Sequence, residues 1–158
     1  MIEKRISELR FKDTVFVFVY GVIFPVLLGF LAGMINYYIQ TGLRFTLSNI
    51  LLWIVAVFTG TQVRRQFLKP HIVYTIMTGI GIFVSGVIMF AFPTLYATAM
   101  RVSDLTVVLD VAFYAGAAID ILNPINWLRA IITLDFQTII WLLIFIVGIY
   151  LGINKTFR

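Results

Sequence analysis

Acidic side chains are concentrated in residues 101–137, a part of the chain that is otherwise mostly apolar. Four of the seven acids lie there: Asp104, Asp110, Asp120 and Asp135. Carboxylates at membrane depth are costly, so they usually face a cavity, a partner or an ion path. Asp110 and Asp120 are ten residues apart, close to three helical turns, so we expect them to share one helix face. They are our candidate ion-path residues; hydration at the membrane surface is the alternative explanation for both.

Other reactive side chains are scarce. The chain has no cysteine and a single histidine, His71, which excludes disulfides, thiolate metal sites and a multi-histidine metal site within this chain. Hydrolytic and redox chemistry relies on His, Cys or clustered carboxylates, and only the aspartates remain. We therefore predict a protein that is not an enzyme and that holds no metal site, and the sequence does not identify a cofactor.

A basic cluster separates two apolar runs and consists of Arg64, Arg65 and Lys69. Such clusters attract anionic lipid headgroups, at about 1 kcal/mol per charge. We predict contact with headgroups here, although a role in setting the membrane orientation explains the same residues.

Four long runs of residues carry no charge at all. They are residues 14–43, 45–63, 72–100 and 136–154, and each approaches or exceeds the roughly 20 helical residues that cross a hydrocarbon core. The composition is 61% hydrophobic, against roughly 45–50% apolar residues in soluble domains. The sequence therefore predicts an all-α polytopic membrane helix bundle that forms one domain over residues 1–158.

The expected arrangement has four transmembrane helices plus an amphipathic or re-entrant segment between the third and the fourth. The predicted spans are about 15–38, 45–62, 72–92 and 138–153, with the interfacial or re-entrant segment at 101–137.

Prolines mark the expected breaks in this arrangement. Pro93 should bend or end the third span, and Asn123 and Pro124 should divide the segment that follows. A five-span alternative makes residues 105–122 a full crossing. That alternative places Asp110 and Asp120 within the membrane, at about 2.5–3.5 kcal/mol for each aspartate at the centre of a span.

Positive charge indicates the orientation. With the N-terminus in the cytoplasm, nine of the twelve Lys and Arg residues lie inside in the four-span arrangement, whereas only Arg44, Arg101 and Arg129 lie outside. Short cytoplasmic loops are enriched in Lys and Arg. We therefore expect a multi-pass protein of the cell membrane with both termini cytoplasmic. The same bias explains the net charge of +5, so we predict no nucleic-acid partner. Ile2, Ile6 and Leu9 further suggest a short amphipathic helix on the membrane surface.

Small residues recur at helical spacing in every predicted span. Helices in lipid associate by close backbone packing, so such ridges mark contact faces. The predicted helix-packing residues are Gly21, Gly29, Gly33, Ala56, Gly60, Gly79, Gly148 and Gly152. Packing within the bundle explains most of them, but the ridge of the first span is longer than one neighbour needs, which favours a further subunit.

These features together predict a non-catalytic integral membrane subunit that packs in a larger membrane complex or a homo-oligomer. Its expected partners are the lipid bilayer and other membrane subunits or further copies of itself. The alternative is a channel or transporter subunit in which Asp110 and Asp120 line an ion or proton path.

Overall fold

The computed structural model describes residues 11–44, 46–67, 71–133 and 135–157. The amphipathic helix predicted from Ile2, Ile6 and Leu9 lies outside these ranges, and so does Lys69. Every regular element within them is helical, which confirms the all-α prediction.

Six α-helices follow one another along the described chain. They are α1 (Phe11–Leu43), α2 (Ser48–Arg64), α3 (Ile72–Val102), α4 (Val111–Leu122), α5 (Pro124–Ile132) and α6 (Phe136–Phe157), with a 3₁₀ turn at Leu105–Leu109 between α3 and α4. The residues Val19–Ile23 of α1 form a π-helical turn.

Three of these helices are long and apolar enough to cross a membrane. They are Phe11–Leu43 with 33 residues, Ile72–Val102 with 31, and Thr138–Thr156 within α6 with 19. α2 has 17 residues, a length of about 25 Å at 1.5 Å per residue, which is shorter than the usual hydrocarbon thickness of about 30 Å. Three of the four predicted spans therefore have the required length, and the four-span count stays a prediction.

The first and third helices extend beyond the predicted spans. α3 continues through Pro93 as far as Val102, so the proline does not end the helix, which was one of the two outcomes expected there. Proline is tolerated inside apolar helices whose neighbours satisfy the freed backbone groups. α1 and α3 instead end at Arg44 and Ser103, which both adopt left-handed backbone angles with φ of 58°.

The closest approach in the bundle is between α1 and α3, along what we call the α1–α3 seam: Gly21, Gly29 and Gly33 of α1 with Gly81 and Ser85 of α3. A Cβ atom built on Gly29 would lie 2.7 Å from the Ser85 carbonyl oxygen, and one on Gly81 would collide with the Gly21 carbonyl oxygen. All three α1 glycines face α3, since Gly33 meets the Phe92 side chain there. The length of this ridge therefore does not require a second subunit.

A second close contact joins α2 to α6. Because Gly60 has no side chain, the backbone of Gly152 approaches it closely. A Cβ atom built on Gly152 would in turn lie 2.8 Å from the Ala56 carbonyl oxygen. Farther along, Gly148 meets the Trp53 ring, and the Trp53 indole donates a hydrogen bond of 3.1 Å to the Ile144 carbonyl oxygen.

Side chains from four helices fill the interior between these contacts. A Cβ on Gly79 of α3 would lie 3.2 Å from Ile153 of α6, and one apolar cluster joins Ala32, Leu52, Met89 and Phe145.

The two ends of the bundle can be named from their residues. At the Tyr96 end, Tyr37 and Tyr96 pack with ring centroids 4.8 Å apart. At the Arg64 end, Val17, Val63 and Tyr74 belong to a second apolar cluster.

A buried asparagine ties the connection between α1 and α2 at the Tyr96 end. Asn36 is 1% exposed, and its Oδ1 accepts hydrogen bonds from the Thr46 hydroxyl at 3.2 Å and the Leu47 N–H at 3.1 Å. Because both donors precede α2, this side chain fixes where the second helix begins.

Candidate functional site

The candidate aspartates lie in the segment that joins α3 to α6. The chain reverses at Ser103, and the 3₁₀ turn that follows packs back against α3. α4 and α5 then complete the segment and meet at Asn123 and Pro124, where the sequence predicted a break.

Asp110 immediately precedes α4 instead of lying within it. Its Oδ1 accepts hydrogen bonds from the backbone N–H groups of Ala112 at 2.9 Å and Phe113 at 3.2 Å. These are N-capping bonds, which satisfy N–H groups that have no partner inside the helix. The expectation that Asp110 and Asp120 share one helix face was therefore wrong, because Asp110 is the residue at which the helix starts.

Three further polar residues in this segment cap helices in the same way. Asp104 accepts from the Thr106 N–H at 2.9 Å, Asn123 from the Ile125 N–H at 3.0 Å, and Asp135 from the Thr138 N–H at 3.2 Å. The hydrogen bond from the Thr106 hydroxyl, followed by the one from its backbone N–H, lowers the pKa of Asp104 below its ordinary value. Capping thus accounts for most of the acids in the segment.

Asp120 is the exception among these aspartates. It lies in the last turn of α4 and is exposed, and no described residue donates a hydrogen bond to its carboxylate. The C-terminal end of a helix carries partial negative charge, which disfavours an anion there. The charge of Asp120 therefore has no stabilising partner in the described part of the chain.

The corner between α4 and α5 holds Asp120 in place. The Asn126 side-chain amide donates to the Asp120 carbonyl oxygen at 3.1 Å, and the Trp127 indole donates to the Ile121 carbonyl oxygen at 2.6 Å. Two side chains of α5 thus satisfy carbonyl groups at the end of α4 and fix the angle between the helices.

A cavity of about 230 Å³ lies at this corner, and Asp120, Asn126 and Trp127 line it together with Thr138 and Trp141 of α6. The sequence did not identify the last four of these as site residues, because their proximity depends on the turn at Asn123, which brings α5 beside α6. The lining of the cavity combines one carboxylate with two indole rings, and both kinds of side chain attract a cationic group.

The structure gives ordinary surroundings to His71 and to Arg64 and Arg65, the two described residues of the basic cluster. His71 precedes α3, and its Nδ1 accepts a hydrogen bond from the Val73 N–H at 3.2 Å. The Arg64 guanidinium lies over the Phe67 ring and donates to the Phe67 carbonyl oxygen at 3.2 Å, while Arg65 is exposed. Among the described residues, no three His, Cys, Asp or Glu side chains are grouped as metal ligands would be.

Comparisons of the chain with protein-family models, with curated proteins and with solved structures found no match. Geometry and charge therefore carry the functional conclusion.

Proposed function

We propose that the chain is a non-catalytic, four-span subunit of the cell membrane, with both termini in the cytoplasm. It assembles with another membrane protein through the surface formed by α4 and α5. The observation that carries this proposal is the exposed Asp120 carboxylate within an apolar surface, which no described residue pairs with.

The position of α2 supports a fourth span. Its contacts with α6 extend from Trp53, opposite Ile144, to Gly60, opposite Gly152. That α2 lies beside a helix long enough to span favours a crossing of the same layer. The few ångströms by which α2 is too short are accommodated by local thinning of the bilayer, at a fraction of a kcal/mol per ångström.

The distribution of charge supports the orientation. Arg64, Arg65 and Lys155 lie at the Arg64 end, whereas Arg44 and Arg101 lie at the Tyr96 end. Adding the basic N-terminal residues of the sequence to the first group reproduces the positive bias of cytoplasmic loops. The Tyr96 end is then outside, and α4 and α5 belong to the outer half of the protein.

The surface of α4 and α5 supports a protein partner. α4 has no buried residue and α5 buries only Ala130. Leu122 is 66% exposed and Ile132 is 79% exposed, so this surface carries large exposed apolar side chains together with an acid that no described residue pairs with. A neighbouring membrane helix that offers a Lys or Arg side chain beside apolar residues would neutralise Asp120 and cover this surface.

The experiment compares Asp120→Asn with Asp110→Asn after native purification from the membrane. Both variants remove one negative charge, but asparagine still accepts N-capping bonds, so Asp110→Asn keeps its structural role. We expect the amount of co-purifying membrane protein to fall at least about tenfold for Asp120→Asn, equivalent to about 1.4 kcal/mol. Asp110→Asn should retain it. Equal retention by both variants would overturn the proposal.

Other outcomes of this experiment point to the other functions predicted from sequence. Recovery of the chain alone, as a defined homo-oligomer that Asp120→Asn dissociates, assigns the surface to a second copy. Ion flux through the purified chain that Asp120→Asn abolishes assigns Asp120 to a channel or transporter path.

The membrane orientation is tested separately with single cysteines, since the native chain has none. Thr106→Cys should react with an impermeant thiol reagent in intact cells, and Lys155→Cys should react only after permeabilisation. Labelling of Lys155→Cys from outside would contradict the four-span arrangement and favour five.

A further inference from the structure

An apolar cavity of about 370 Å³ opens beside the middle of α3. Its volume lies within the range of roughly 300–1,000 Å³ that is usual for ligand sites. Phe30 of α1, Val84 and Val87 of α3, Leu109 of the 3₁₀ turn, and Ala115 and Ala118 of α4 line it. The reversal of the chain at Ser103 therefore creates this cavity, because it returns Leu109 to the central part of α3.

The cavity offers nothing to a polar occupant. Among the described lining residues, one hydroxyl is present; it belongs to Tyr114 and donates to the Val108 carbonyl oxygen at 3.0 Å. Val84 and Val87 lie near the midpoint of Ile72–Val102, at a depth where the surroundings are hydrocarbon. Apolar cavities exclude water and accept apolar groups, so an acyl chain is the group that this cavity fits.

A polar groove of about 390 Å³ lies farther along α1 and α3, toward the Tyr96 end. Thr94, Thr98 and Arg101 line it, and they follow Val87 by seven, eleven and fourteen residues. Such intervals return to one helix face, and they place Thr94 about 10 Å and Arg101 about 21 Å beyond Val87 along the axis. The groove thus continues from the cavity along the same side of α3.

The α1 residues that line the cavity and the groove are separated by the same helical intervals. Tyr37 and Thr41 line the groove and follow Phe30, which lines the cavity, by seven and eleven residues. Among the described residues that line the groove, Arg101 is the single charged one. Guanidinium groups bind phosphate through paired, charge-assisted hydrogen bonds, so the groove complements an anion.

We propose that a phospholipid of the surrounding bilayer binds along α1 and α3, with an acyl chain in the apolar cavity and its phosphate at Arg101. An amphiphile matches both compartments in their observed order, apolar near the middle of α3 and cationic toward its end. This site is separate from Asp120, so it does not depend on the proposed protein partner.

Photocrosslinking tests the acyl-chain position. The full chain is reconstituted into phosphatidylcholine vesicles that contain a trace of phosphatidylglycerol with a diazirine at the end of one acyl chain. Adducts should concentrate on the α3 and α4 peptides that line the cavity. Ala118→Phe fills the cavity and should reduce these adducts about tenfold, whereas Ala112→Phe, in the exposed first turn of the same helix, should not.

A second arm tests the phosphate and remains informative if Ala118→Phe fails to fold. Arg101→Gln should weaken labelling several-fold, and Arg129→Gln, which removes another exposed arginine outside the groove, should leave it unchanged. Unlabelled phosphatidylglycerol should compete better than diacylglycerol, which lacks the phosphate.

Three results would overturn the proposal. They are adducts spread evenly over every bilayer-facing helix, protein-to-protein crosslinks in the cavity instead of lipid adducts, and labelling that Arg101→Gln does not change.

Discussion

The α1–α3 seam and the surface of α4 and α5 use small residues in opposite ways. Gly29 of the seam lies so close to Ser85 that no side chain fits, whereas Gly116 of α4 has open space where its Cβ would stand. Each is one of the eleven glycines of the chain, and each could have been interpreted as part of a packing face. Among the described residues, Gly29 has a packing neighbour and Gly116 has none.

This difference separates residues that hold the bundle together from residues available to other molecules. Dispersion is the main attraction between apolar helices in lipid, and it requires close contact. The seam provides that contact, whereas Ala130 is the single fully buried residue of α4 and α5. We therefore expect changes in the seam to affect stability, and changes in α4 and α5 to affect binding.

The largest expected effect is at the seam. Gly29→Leu should destabilise the purified protein by about 3 kcal/mol or more, since overpacking costs about 1–3 kcal/mol even where side chains alone must move. Here the Ser85 backbone must move as well, because its carbonyl oxygen lies 2.7 Å from the position that a Cβ atom on residue 29 would occupy. Thermal unfolding in detergent measures the change.

Gly116→Leu is the matched control for that variant. The same substitution in α4 meets no neighbouring atom within 4 Å of the new Cβ, so it should leave the unfolding temperature nearly unchanged. Equal losses of stability in the two variants would remove the distinction between the seam and the exposed surface.

A smaller loss is expected where the bundle contains a buried polar group. Asn36→Ala removes the acceptor of the Thr46 hydroxyl and the Leu47 N–H. The Thr46 hydroxyl keeps Ser48 Oγ at 2.8 Å, whereas the Leu47 N–H is left unsatisfied, which should cost about 1–3 kcal/mol. Asn36→Asp keeps an acceptor oxygen, but an ionised carboxylate is costly at this buried position, so it should restore part of the loss only at low pH, where the carboxyl is neutral. Thermal unfolding of both variants measures this contribution, and an unaffected Asn36→Ala protein would contradict it.

How much of this could be predicted from the sequence depends on whether a feature is local. The long uncharged runs and the glycine spacing predicted helices and candidate contact faces, since both follow from periodicity within one segment. The sequence did not reveal that Gly21, Gly29 and Gly33 all face α3, because that requires knowing which helices are neighbours. For the same reason, the cavity shared by Phe30 and Ala118 was not predicted.

Aspartate roles show the same limit at shorter range. Asp110 was placed on a helix face from its ten-residue separation from Asp120, although the helix begins only at Val111. Asp, Ser, Thr and Asn preceding an apolar helical run are N-cap signals, and Asp110, Asn123 and Asp135 all stand in such positions. That no described residue pairs with Asp120, in contrast, depends on the fold of α5 and had no signal in the sequence.

Capping predicts a moderate effect in α4. Asp110→Ala should destabilise the helix by about 1 kcal/mol, whereas Asp110→Asn should cost only a few tenths, because asparagine caps as well as aspartate. Hydrogen exchange of the α4 amides would resolve the two variants. If Asp110→Asn were as damaging as Asp110→Ala, charge rather than capping would be the role of this residue.

The smallest expected effect is electrostatic and concerns Asp104 in the exposed turn after α3. Hydrogen bonds from Thr106 lower the pKa of this carboxyl in the folded protein, so the ionised form is favoured by folding. The resulting stabilisation is present above the ordinary aspartate pKa of about 3.9, and it is lost as the pH falls through the lower, folded value.

Thr106→Val removes the hydroxyl, the largest cause of the shift, and leaves the backbone donor, so the carboxyl should titrate at a higher pH than in the native chain. Thr98→Val removes a hydroxyl that bonds only to the Thr94 carbonyl oxygen and should leave the Asp104 titration unchanged. NMR titration of carboxyl-labelled aspartate measures both, and an unmoved Asp104 midpoint in Thr106→Val would show that this exposed turn does not hold its cap in solution.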